Sequence, residues 1–177
     1  MEKSILAVLV VLSLSVVASA QVSEGWFRDE AFGCWLKPPL NWQKTQLKGT
    51  AAVSQRFSES QANAFIEFLA RTEDPLLTSE NVADAWETDT KKYLPYLEKR
   101  LSSESIEIAG AKGVLRSYEG KYYGTLLRAY VLYVAARSNM YVVAGVFVKE
   151  KAAVYEKMVK ELVLTFRLIA PEPEKIE

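Results

Sequence analysis

The 177-residue chain contains no histidine and a single cysteine, Cys34. Without histidine there can be no Ser-His-acid or Cys-His nucleophilic site, and the commonest transition-metal ligand is missing. Any zinc site would have to be carboxylate-rich, so neither a metal nor a cofactor is expected. One cysteine cannot close an intramolecular disulfide, which leaves stability to the core. Cys34 lies between Gly33 and Trp35 with no basic cluster around it, and it reads as a buried, inert thiol. An excess of charge of one sign is also lacking: 22 basic and 22 acidic residues cancel. That balance gives no electrostatic footprint for nucleic acid, and no polybasic or amphipathic basic segment for a membrane surface. No phosphate-cradling glycine loop, dinucleotide fingerprint or internal repeat is present.

What is present begins with Met1-Glu2-Lys3, an apolar run over 5–17 and the small residues Ala18-Ser19-Ala20. This is the layout of a secretory signal peptide over 1–20, with cleavage expected before Gln21. The apolar run is shorter than the roughly 20 residues that span a bilayer, so no stable membrane insertion is expected after cleavage. The expected location is periplasmic or extracellular. Residues 21–169 read as one domain, with half of the chain hydrophobic and a quarter charged, the balance of a globular protein. The proline- and acid-rich 170–177 reads as a disordered tail.

Apolar, β-prone residues over 32–36 run into Pro38-Pro39, which ends the strand, and "LNWQ" reads as a corner. Residues 51–58 alternate. Over 62–71 the chain is apolar on both faces, with Phe65 and Leu69 opposed to Ile66 and Phe68, which implies cover on both sides of a sheet. Thr78 or Ser79 caps a helix whose stripe is Val82, Trp86, Tyr93, Leu97 and Leu101, with a kink or break at Pro95. A meander follows: strands over 105–109, 114–118, 125–136 and 140–148, with turns at 110–113, 119–124 and 137–139. Residues 149–168 read as a final helix with Val154, Tyr155, Met158, Leu162 and Phe166 along one side. Strands and helices without strict alternation predict an α+β fold: an antiparallel sheet flanked by helices, an α/β/α sandwich in a single domain.

The order and spacing resemble the PsbP-like superfamily, which includes the extrinsic photosystem subunit and the Mog-type Ran-binding proteins. The resemblance is carried by "PPLNW", the long middle helix, "IEIAGAKGVLRSYEG", the tyrosine-bearing hairpin "RAYVLYVAARSNMYVVAGVF" and the closing "LTFRL". It implies an antiparallel sheet between helices, and a binding or assembly module instead of an enzyme. It carries no catalytic residues across. The partner it points to is an envelope or secreted protein.

Two groups of side chains are candidate sites. Tyr118, Tyr122 and Tyr123 surround the "EGKYYG" turn, and tyrosine is favoured at interfaces because it buries a large ring while keeping a polar tip. Glu67, Arg116 and Arg128 all fall on strands, where they would form a charged cluster on one sheet face. That cluster supports the alternative function, a small periplasmic hydrolase or a glycan- or ligand-binding protein with a charged pocket. A third possibility is a homo-oligomer built on an exposed sheet edge. Asp84, Glu87 and Asp89 lie off the apolar stripe of the middle helix and read as solvated surface. Trp35 and Trp42 read as core and corner packing around the double proline.

Overall fold

Residues 25–47, 53–91, 94–108 and 110–169 are described by a computed structural model. The expected leader and tail, Tyr93 and Ala109 lie outside them. Long strands dominate because β-branched and aromatic residues are dense over 111–148. Seven strands form one antiparallel sheet: β3 (Gln43–Gln46), β4 (Val53–Ser58), β5 (Ala64–Thr72), β6 (Lys99–Ile108), β7 (Ala111–Tyr122), β8 (Thr125–Ala136) and β9 (Asn139–Val148), in the order β3-β4-β5-β9-β8-β7-β6. Helix α1 (Ser79–Thr90) packs on β7 and β8 from one side, and α2 (Ala152–Val163) packs on β9, β5 and β8 from the other. A second antiparallel sheet of three short strands, β1 (Phe27–Asp29), β2 (Cys34–Leu36) and β10 (Arg167–Leu168), extends the α2 layer. The class is α+β, as the sequence predicts.

The two-sided character of β5 has the expected consequence. Ile66 and Phe68 join Phe27, Cys34, Leu36, Val159 and Phe166 in one core. Phe65 and Leu69 pack toward Val82, Tyr96, Tyr118 and Tyr133 in the other. Cys34 is buried, and burial pushes its thiol pKa up, which disfavours the reactive thiolate. Two glycines are fixed by close approach. A Cβ on Gly145 would lie 2.5 Å from Val159 Cγ1, so glycine lets α2 sit down on β9; one on Gly120 would lie 1.7 Å from the Pro95 carbonyl oxygen. Thr78 caps α1 in a reciprocal arrangement with Asn81. The next residue, Ser79, is buried. Its hydroxyl donates to the Lys112 carbonyl at 2.6 Å and accepts the Ala135 amide at 2.9 Å, tying the start of α1 to β7 and β8.

The elements depart from the sequence reading in several places. The middle helix breaks well before residue 101: α1 stops at Thr90, Pro95–Leu97 is a single 3-10 turn, and β6 starts at Lys99. Leu101, read into the helical stripe, is therefore an exposed strand residue. The strands read over 105–109 and 114–118 are each about twice as long as expected, because long-range pairing carries them through their polar ends. Likewise "EGKYYG" is no long turn, since β7 runs on to Tyr122. The last helix ends at Val163, and Arg167–Leu168 returns as a strand against β2. The short strands β1, β3 and β10 carry too few residues for a periodic signal.

Candidate functional site

Two-residue hairpin turns match the twist of antiparallel strands when both turn residues adopt positive φ, which favours asparagine, aspartate and glycine. Tyr122 pairs with Thr125, so the turn between β7 and β8 is Tyr123-Gly124, with φ of 45° and 88°. Gly124 suits that backbone; tyrosine does not, because a Cβ in the left-handed region crowds the following carbonyl. Tyr123 is also 91 % exposed, so no burial offsets the strain. Its ring meets Tyr122, 52 % exposed, edge-on at 4.5 Å between centroids. An aromatic tip of two tyrosines thus stands clear of the sheet on strained backbone.

Tyr118, the third tyrosine of this group, is elsewhere. It points inward from β7 and is fully buried, with its hydroxyl 3.1 Å from Glu87 Oε2 and 3.2 Å from the Tyr133 hydroxyl. Burial, with the nearby Glu87 charge opposing ionisation, pushes its pKa up to about 12. Tyr118 braces the core and belongs to no surface.

The charged trio does not assemble either. Arg116 lies beneath α1, its side chain only 3 % exposed, and is held by Asp84 at 2.6 Å, Glu87 at 3.1 Å and Glu80 at 3.2 Å. Burial works against its charge, but Asp84 and Tyr118 together outweigh it and raise the pKa. Arg116 therefore clamps α1 to the sheet. Glu87, read as solvated surface, is only 19 % exposed and also accepts from Tyr118 and Arg100. Glu67 shares the α1 side of the sheet but pairs with Arg56 and accepts the Tyr96 hydroxyl at 2.9 Å. Arg128 faces the opposite side, toward Glu156 on α2 at 3.2 Å and Glu119 at 3.5 Å. The spacing on the strands could not reveal this, because alternation assigns a face only once the register is known.

Two features went unread in the sequence. A cavity of about 310 Å³ lies between α1 and β5, lined by Leu69, Leu77, Val82, Trp86 and Met140, with the Arg71–Glu73 ion pair at its mouth. Trp86, expected on the buried stripe, is its half-buried wall. The second concerns the tryptophans. Trp42 is core, as expected, but Trp35 points away from it, half-buried, edge-on to Trp26 at 5.9 Å. Among the described residues no group of three or more cysteine or carboxylate side chains is placed to hold a metal.

A seven-stranded antiparallel sheet with a helix on each face and a small sheet at its flank is a PsbP-like fold. Cyanobacterial PsbP from Synechocystis superposes with a TM-score of 0.65, covering 81 % of this chain and 91 % of that one at 10 % identity. LpqN, involved in cell envelope biogenesis of Mycobacterium tuberculosis, gives 0.52 at 11 % identity over 77 % of this chain and 83 % of its own. A protein of unknown function from Pseudomonas aeruginosa gives 0.50 at 16 % identity, covering 84 % and 96 %. These are likenesses of fold. No family model matches the sequence, and no curated protein matches it.

Proposed function

We propose that this chain is an exported, non-catalytic binding or assembly module that holds a protein partner of the envelope or secreted space at the Tyr122–Tyr123 hairpin tip. The observation that carries the reading is Tyr123 itself, a large ring exposed on left-handed backbone. Strain of this kind is enriched at functional sites, and tyrosine is among the side chains enriched at protein interfaces. The pairing of Glu67, Arg116 and Arg128 into separate structural ion pairs weighs against the charged-pocket hydrolase. Export is supported by the N-terminal layout and by the envelope role of one fold relative. Among the described residues no helix is long and apolar enough to cross a membrane.

The test is capture of an envelope protein from the source organism by the immobilised chain, with Tyr122→Ala/Tyr123→Ala alongside. A stoichiometric partner held by the wild type and lost by the double variant, with unchanged melting, supports the reading. Equal capture by both removes the tip from consideration. The cavity beside Trp86 favours a second reading, a small apolar ligand carried under α1. Quenching of Trp86 fluorescence by such a ligand, with partner capture absent, would favour it.

A further inference from the structure

We infer that the outer face of the small sheet is a peripheral contact surface for an anionic phospholipid bilayer. In the register of this sheet Trp35 is paired with Arg28 on one side and Arg167 on the other. Phe27, Cys34 and Leu36 alternate into the core, so these three partners share the outward face, where Arg28 and Arg167 are exposed. Trp26 stacks edge-on against Trp35. The Arg28 guanidinium lies 5.2 Å from the Trp35 ring centre, and Lys37 Nζ lies 5.4 Å from that of Trp26. Leu40, at the corner after the double proline, packs against Gly25 yet is 82 % exposed. Three cations and two half-buried tryptophans therefore gather on one face, with exposed Leu40 at the corner by Gly25; of the cations, Arg167 also donates to the Leu164 and Phe166 carbonyls. The acid paired there is Glu30, 3.5 Å from Arg28 and itself exposed.

That composition suits the water–lipid boundary. Tryptophan places an apolar ring and a polar N–H at headgroup depth, and arginine and lysine meet lipid phosphates. An exposed leucine adds apolar area that water alone does not favour. One face of each tryptophan ring already carries a cation, which disfavours sugar stacking on that face. No window of the sequence shows the patch, because its members are scattered from Trp26 to Arg167. The inference does not rest on the hairpin reading.

The chain from Gln21 to Glu177, the form expected after cleavage, would be sedimented with vesicles of phosphatidylcholine alone and of phosphatidylcholine with phosphatidylglycerol. Binding to the anionic vesicles only, and release by added salt, is expected. R28Q/K37Q should weaken partitioning by more than tenfold, at about fivefold for each cation near an anionic surface. Leu40→Ser, at a side chain 82 % exposed, should weaken it several-fold, while Lys157→Gln on α2 should leave it unchanged. Binding by R28Q/K37Q and Leu40→Ser equal to wild type, with normal melting, would overturn the proposal. So would wild-type binding that ignores vesicle charge, or retention on dextran sulfate without vesicle binding.

Discussion

Replacing Tyr123 with asparagine keeps the hairpin's length and register while removing the residue least suited to its backbone. An L-residue in the left-handed region costs roughly 1–2 kcal/mol, and asparagine recovers part of this through local hydrogen bonding. Tyr123 is 91 % exposed, so the substitution gives up little besides the edge-on packing of its ring on Tyr122, worth about 0.5 kcal/mol at such a site. The balance is a gain of about 0.5–1 kcal/mol. For a chain of this size that raises Tm by about 1–4 °C, measurable by differential scanning calorimetry. Tyr123→Phe should leave Tm unchanged, because it keeps the ring and the strain. A Tm for Tyr123→Asn equal to or below wild type would show that the turn is not strained, and would remove the argument that function keeps tyrosine there.

Arg116→Met should cost about 2–4 kcal/mol in urea unfolding, because it takes the buried guanidinium from Glu87 and leaves that carboxylate only Arg100 and the Tyr118 hydroxyl. Asp84→Asn, at a carboxylate 68 % exposed, should cost under about 1 kcal/mol; equal losses would mean that burial does not decide the clamp's strength. Gly145→Ala forces a methyl into Val159 and Val163 of α2 and should cost about 1–3 kcal/mol, read from the same unfolding curves. Burial raises the folded-state pKa of Tyr118 and Tyr130 to about 12, and those of Tyr96 and Tyr133 are raised as well. The folded chain therefore holds these protons longer than the unfolded one. Stability should be complete below about pH 10 and fall as pH rises through about 12. An unfolding free energy that stays constant as pH rises from about 10 to about 12 would contradict this.

The α+β class, the antiparallel meander and both covers of β5 were legible because long alternating strands and a two-faced apolar run leave strong periodic signals. Strand ends were not legible: pairing with β8 carries β7 through Glu119, Gly120 and Lys121, residues that look like a turn when read alone. The helix stripe over-ran for a related reason. Leu101 kept the helical spacing, but Pro95 and the edge position of β6 took it into a sheet. Of the candidate site, Tyr122 and Tyr123 were visible as turn aromatics. Tyr118 was not separable from them, since only register shows that it points inward. Arg116 and Arg128 went to opposite faces for the same reason. Trp35 was read into the core because its neighbours Cys34 and Leu36 are core residues, and period two puts it on the other side.

Site-specific photo-crosslinking in the source organism tests the central claim most directly. A photoreactive phenylalanine at position 123 should give one discrete adduct with an envelope or secreted protein, and the same group at exposed Val154 on α2 should give none. Adducts of equal yield from both positions, or an adduct from 154 alone, would contradict the assignment of the hairpin tip as the partner-binding surface.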